Sequence, residues 1–551
     1  MQSITARTIH ASKIWSLALV WILLISQQPL TSSQAANFDP DPAQATTTWT
    51  VTKLADTNDG VCSSKDCSLR EAIDNAASGD IVRFDSGLSG GTIALSSTLT
   101  IAKNLTIDGS DLRPHIQISG ERAARVFMIL SGVVKLNHLT IVNGYSGADD
   151  GGGIYNDTTL YLTNCTLTGN STDGASENSG GGIYNDNTLI IENSTFTGHS
   201  AYSGGVIYND TGWIDISDST FRDNTAVYGA AIETTGFEHQ LYIAGSTFDN
   251  NDVTGNGGAI TAWDSGTVSI ANTTFSDNDA FNRGGAIYNQ DASITVTNSS
   301  FENNQTSSTV IETGGGGIYN GGSLSVSFST FSGNIAGKLG GGIYNDSGTI
   351  TIASSTFSEN GAGFGGGIGT YNGTATVTNS TFSGNYTNAG GGGGIAFDGG
   401  TLTVTNSTLS GNRSITSKGG AIIVGGTLHL ANSILANDPI SGPDCYNFSG
   451  TFATNLNNLI ETNATDTHAC PTPALSTDPM LGPLADNGGT TQTMALLPGS
   501  PALDMGDDSV CAAAPVNNLD QRGSLRPRGA HCDMGAFEWE TELIFLPSLQ
   551  R

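Results

Sequence analysis

The sequence predicts an all-β protein built as a parallel β-helix solenoid of about 13–14 coils, with a short capping helix before it and a small disulfide-bearing module after it. Three observations point to this. A glycine-rich kernel recurs eleven times between residues 151 and 424, a second phrase follows each kernel, and no amphipathic helical pattern occurs between residues 150 and 437.

The kernel first reads GGGIYN at residues 151–156 and returns as GGVIYN, GAAIET, GGAITA, GGAIYN and close variants, 24 to 31 residues apart. Its fourth position is always isoleucine: Ile154, Ile183, Ile207, Ile232, Ile260, Ile287, Ile318, Ile343, Ile368, Ile395 and Ile422. A fixed kernel at variable spacing describes rigid strands joined by loops that tolerate insertion. The second phrase, STFSGN and its variants, places Phe196, Phe221, Phe248, Phe275, Phe301, Phe331, Phe357 and Phe382 at its third position, with Leu167, Leu409 and Leu435 at the ends of the series. Between kernel and phrase lie short segments such as TLIIEN (188–193) and TLTVTN (401–406). Every second residue there is aliphatic, the period of a strand with one buried face. Stacking such coils at about 4.8 Å superimposes equivalent residues, so the Ile and Phe positions should form two interior ladders. The Asn that ends the second phrase (Asn170, Asn224, Asn251, Asn278, Asn304, Asn334, Asn360, Asn385, Asn412) should form a turn ladder in left-handed backbone geometry, interrupted by His199 and Asp438.

Taken in chain order, residues 1–35 read as an export signal. Arg7 and Lys13 precede a 12-residue apolar core, Ile14 to Ile25, and Ser33 and Ala35 supply the small residues of a cleavage site. That core is too short to span a bilayer, which takes about 20 residues, so no membrane span is expected after cleavage. Residues 36–91 form an N-terminal cap. Ser68 and Glu71 have capping-box spacing, Leu69, Ala72, Ile73 and Ala76 share a face, and Gly79 is expected to end the helix. An open β-helix end exposes edge strands and core side chains, so a cap is physically required. The solenoid occupies 92–437, its regular coils beginning at 151. Residues 438–540 form the C-terminal module, and 541–551 a short tail. Six of the seven cysteines suggest the pairs Cys62–Cys67, Cys445–Cys470 and Cys511–Cys532, with Cys165 a packed, unreactive thiol.

The stretch WTVTKLADTNDG (49–60) followed by CSLREAI (67–73) resembles the N-terminal CSLREA domain of secreted bacterial proteins. The GG-[AGV]-I and F-x-x-N phrases are similar to repeats of the polymorphic outer membrane protein family, a resemblance that implies a right-handed parallel β-helix. The segments STDPMLGPLADNGGTTQTMALLPGSPALDMGD (476–507) and DQRGSLRPRGAHCDMGAFE (520–538) resemble the choice-of-anchor Q domain. No succession of alternating strands of 9–11 residues follows the last coil. The resemblance to the outer-membrane family therefore extends to the solenoid and not to a translocator barrel.

The chemistry expected is sparse. The formal net charge of −30 argues against nucleic-acid and anionic-lipid partners. None of the glycine kernels carries the Lys-Ser/Thr of a phosphate loop or leads into a helix, so the glycines turn corners. Right-handed β-helices include pectate lyases and polygalacturonases, so the catalytic candidates are the acids Asp149, Asp150, Asp215, Asp218 and Asp264, with Asp223 and the cations Arg222, Arg283 and Arg413. These do not assemble the motifs of such enzymes, and solvated turn carboxylates are the expected reading. No catalytic residue and no cofactor is expected; charge alone admits weak Ca²⁺ binding. The function expected is that of a secreted or cell-surface, adhesin-like monomeric rod that contacts glycans or cell-surface polymers. A polysaccharide lyase or hydrolase and a structural surface-layer component are the alternatives.

Overall fold

Each regular coil of the chain turns through three short strands, and each strand pairs in parallel with its counterpart one coil away. The computed structural model describes residues 46–174, 178–310, 312–416, 418–436 and 442–540, and the described residues from Thr47 onward pack as one unit. The export signal of 1–35, the tail 541–551 and Asp438 lie outside the described residues. Strands that open on the kernel Ile form a 14-stranded sheet, here the kernel sheet. The alternating segments form a 16-stranded sheet, and the Phe phrases form a 15-stranded one. A fourth, eight-stranded sheet of very short strands runs from Thr225–Tyr228 to Arg413–Ser414. The stack continues through Cys445–Asn447, Thr451–Leu456 and Leu459–Ile460, which add a strand to each of the three large sheets.

The register shows why the sequence repeats. Ile154 pairs with Ile183, and the series continues coil by coil to Ile422, every member fully buried. Phe196 through Phe382 pair in the same way, with Leu167 below and Leu409 above. Neighbouring Phe rings lie 4.6–4.9 Å apart with planes within 10° of parallel. Isolated aromatic pairs avoid a face-to-face sandwich. Here the strand spacing of about 4.8 Å holds one ring over the next. The kernel glycines do what the corner demands. Gly340 sits at φ +60°, and a Cβ on Gly341 would meet the Gly366 carbonyl oxygen at 2.3 Å.

The Asn ladder is present, but its backbone differs from expectation. Asn224, Asn251, Asn278, Asn304, Asn334, Asn360 and Asn385 are wholly buried, and each donates from Nδ2 to the Oδ1 of the next coil's Asn at 2.8–2.9 Å. The left-handed residue is the one before each ladder Asn, such as Asp223, Asn250, Asn303 and Gly333. The tight turn falls there, which leaves the Asn free to point inward and satisfy buried backbone carbonyls. His199 replaces an Asn in this ladder, as expected. A second buried ladder runs through Asn156, Asn185 and Asn209 and again through Asn289, Asn320 and Asn345.

At the N-terminal end the helix Leu69–Asn75 carries the expected capping box. Glu71 N donates to Ser68 Oγ at 3.1 Å and Ser68 N to Glu71 Oε2 at 2.7 Å. The helix stops at Ala76, three residues before Gly79. Lys103 Nζ takes over its last carbonyls, donating to Ile73 O and Ala76 O at 2.9 and 2.6 Å. The three disulfides Cys62–Cys67, Cys445–Cys470 and Cys511–Cys532 are formed, with Cα separations of 4.3, 6.0 and 6.7 Å. Cys165 is buried, and burial pushes its thiol up to about 12. No helix among the described residues is long and apolar enough to cross a membrane.

Beyond the last coil the chain doubles back over the outer face of the Phe sheet. Thr491 Oγ1 donates to Ser354 O (3.0 Å), Thr356 Oγ1 to Gln492 O (2.6 Å) and Thr381 Oγ1 to Gln521 Oε1 (2.7 Å), while Ala536 N donates to Thr408 Oγ1 (3.0 Å). Arg526, wholly buried, anchors this module by donating to Asp533 O and Gly535 O beside Glu538, whose carboxyl burial pushes up to about 7.

Candidate functional site

The richest outward chemistry follows from the residue after each kernel Ile. Ile points inward, so the next residue points out. In register this outer row reads Tyr155, Tyr184, Tyr208, Glu233, Thr261, Tyr288, Tyr319 and Tyr344, then Gly369 and Ala396. Tyr155, Tyr184 and Tyr208 stack 5.2 and 5.5 Å apart and remain partly exposed. Arg125 lies over the Tyr155 ring at 5.5 Å and Arg283 over the Tyr319 ring at 5.0 Å, cation–π geometry in both cases. Tyr184 Oη donates to Asp210 Oδ2 (3.2 Å) and Tyr319 Oη to Asp346 Oδ2 (2.5 Å). Burial and these carboxylates hold both phenols protonated, well above the usual range. Tyr288, Tyr319 and Tyr344 are buried with Trp263 and Leu339 against them.

Glu233 breaks this row. It is buried to 4% exposure between Tyr208 of the preceding coil and Thr261 of the next. Trp263, in the following coil, donates its indole N–H to Glu233 Oε1 at 2.8 Å, and the Trp263 ring stands edge-on between Tyr228 and Tyr288. Oε2 makes no hydrogen bond among the described residues, although Ser203 and Gly204 lie beside it. Burial pushes the Glu233 carboxyl up to about 7. The sequence reading passed over this residue because it followed the Ile column. The signal was the kernel GAAIET, which has Glu where most copies have Tyr.

Apart from the adjacent Asp149 and Asp150, the five candidate acids sit at separate places on the coil. Asp149 is exposed at the corner before the first kernel; Asp150 beside it accepts from Ser179 N at 2.7 Å, and its backbone carbonyl accepts from Arg125 Nη2 at 2.6 Å. Asp215 faces outward on the alternating sheet, where partial burial and Glu192 raise its carboxyl. Asp218 occupies an exposed left-handed turn at φ +48°. Asp264 accepts from Gly236 N at 2.9 Å in the turn after the kernel strand. Only Asp149 and Asp150 are brought together, and by chain adjacency. Asp223 is held low by Asn250 and Arg222. Arg413 lies over the Tyr386 ring at 5.3 Å. Among the described residues no cluster of three or more His, Cys, Asp and Glu side chains is placed to hold a metal ion.

No curated protein matches the sequence. Among solved structures the chain is similar to that described as "Crystal structure of pectate lyase Pel9A", at 11% identity and a TM-score of 0.25, over 90% of this chain and 97% of that one, a likeness too low to bear on chemistry. The family model described as the right handed beta helix region matches residues 93–275 and 245–435, more than half of the chain. With its parallel sheets and stacked ladders, the chain belongs to the right-handed β-helix family.

Proposed function

We propose that this protein is a non-catalytic, exported surface protein that binds glycans along the outer faces of its solenoid. The observation that carries this reading is the row of partly exposed tyrosines, Tyr155, Tyr184 and Tyr208, flanked by Arg125, Asp150 and Asp210 and repeated at the coil spacing. A row of phenol hydroxyls and ring edges at a regular 5 Å step offers the same contacts again and again. A linear polymer can use such contacts, whereas a single small substrate cannot. Three disulfides support an oxidising, extracellular setting.

A second reading, a polysaccharide hydrolase or lyase, is favoured by one residue. Glu233 is a carboxyl with a pKa near neutrality, the property a general acid needs. It is weakened because no second carboxylate among the described residues hydrogen-bonds to Glu233, and Asp264 is engaged with Gly236 N. The test presents purified monomeric protein to a glycan array and, in parallel, to a panel of soluble polysaccharides. Binding without turnover is expected. Release of oligosaccharides that is abolished by Glu233→Gln would overturn the first reading in favour of the second.

A further inference from the structure

The outer face of the Phe sheet carries a groove that the tyrosine row does not touch. The corner leading into this sheet is a column of left-handed residues: Asn164, Asn193, Asp218, Gly245, Asn272, Asn298, Phe328, Ser354, Asn379, Asn406 and Asn432. Small or amide side chains suit that conformation, and a bulky ring does not. Phe328 breaks the pattern at φ +52°, as the His138 ring does at the head of the column at φ +55°, and it does so with 42% of its surface exposed and membership in none of the apolar clusters. A strained, exposed aromatic residue is an outlier from which a functional role can be inferred.

Phe328 walls a groove of about 270 Å³ whose other lining includes Asn272, Asn298, Thr274, Ser300, Thr330 and Thr490. Asn298 Nδ2 donates to Asn272 Oδ1 at 2.6 Å, so the two amides stand as a linked pair. Every lining group is uncharged. The groove is also continuous with an interface the protein already makes. It begins where the C-terminal module stops, at Thr490, and its Thr and Asn columns are those that the module engages further along the face. There Thr356 and Thr381 bond to Gln492 and Gln521, Asn379 Nδ2 donates to Leu519 O at 3.0 Å, and Asn432 Oδ1 accepts from Asp507 N at 2.8 Å. These columns therefore already serve as a hydrogen-bonding surface for neutral donors and acceptors.

We infer that this groove binds an uncharged glycan, with the Phe328 ring against a sugar face and the Asn272–Asn298 amides and the Thr274, Ser300 and Thr330 hydroxyls engaging its hydroxyl groups. An aromatic wall with a few fixed polar groups is the usual composition of a small-ligand site. The absence of cations in the lining, together with the chain's charge of −30, disfavours acidic sugars. The inference rests on the glycan-binding reading and places one site for it.

Titration calorimetry with cellohexaose, xylohexaose and mannohexaose, and with hexagalacturonate as the acidic control, tests it on the full chain. Phe328→Asn installs the residue typical of that column, so the variant should fold and melt no lower than the parent. At least one neutral hexaose should bind the parent, and the variant should lose about tenfold in affinity for it. Asn298→Ala serves as a second variant with the same expected direction. If the parent binds a glycan and both variants bind it equally well, the groove is not the site and only this inference fails. Preference for hexagalacturonate overturns the assignment to uncharged sugars. If the parent binds no sugar on the array or in solution, the glycan-binding reading itself falls.

Discussion

The Trp263 indole reaches from one coil to the preceding one and donates to Glu233 Oε1 at 2.8 Å, holding a carboxyl where the preceding coils stack tyrosine rings. With its pKa raised to about 7 from the usual 4.5, Glu233 binds its proton more tightly in the folded chain than in the unfolded one. Its contribution is present in full below pH 4.5 and is lost as pH rises through 7, a loss on the order of 3 kcal/mol. Glu233→Gln keeps an acceptor for Trp263 and removes the titration. The variant is expected to melt above the parent at pH 8 and with it at pH 4.5, as read by thermal denaturation across that range; parallel curves would refute the assignment.

His199 gives the opposite slope. Its ring nitrogens face Leu167 O at 3.0 Å and Asn170 O at 3.3 Å, yet burial lowers its pKa to about 4. A histidine that resists protonation when folded destabilises the fold as pH falls from 6.5 towards 4, again on the order of 3 kcal/mol. His199→Asn restores the ladder residue. It should flatten that acid limb and leave stability at pH 8 within about 1 kcal/mol of the parent, measured by urea denaturation at several pH values.

Asn334 stands mid-ladder. It donates to Phe301 O and Asn360 Oδ1 at 2.8 Å each, and its Oδ1 accepts from Asn304 N at 3.0 Å and Asn304 Nδ2 at 2.9 Å. Asn334→Ala leaves those buried partners unsatisfied, so a loss of roughly 3 kcal/mol or more is expected in equilibrium unfolding. A loss below 1 kcal/mol would mean that water replaces the amide.

Asn432 grips the module's backbone from both sides, accepting from Asp507 N at 2.8 Å and donating to Asp507 O at 3.1 Å. Asn432→Gly keeps the left-handed backbone without strain. Hydrogen exchange should then quicken in the Asp508–Ala512 helix and stay unchanged in the coils between Ile154 and Ile260. Uniform quickening would show instead that the residue supports the whole stack.

The interior of this protein was legible because repetition and strand alternation both report burial, as the Ile154–Ile422 and Phe196–Phe382 ladders show. The cysteine spacing suggested the three pairs without fixing them, and the capping box followed from Ser68 and Glu71. The outer surface was far less legible. Whether Tyr155 stays partly exposed while Tyr344 is buried depends on which loop residues, such as Leu339, lie over the row, and those loops vary in sequence and length. The docking of Leu519 on Asn379 joins residues 140 apart, beyond the reach of any local pattern. Glu233 and Phe328 were visible only as departures from columns whose outward direction the structure supplied.

The doubled-back module has a mechanical consequence. In a stack whose coils touch only their neighbours, either end can fray one coil at a time. Here Thr491, Gln492, Gln521, Ala536 and Asp507 tie Ser354, Thr356, Thr381, Thr408 and Asn432 together across four successive coils. The module acts as a splint, so the last coils must come apart together or not at all. Under tension or heat, unravelling would then advance from the unsplinted part of the stack.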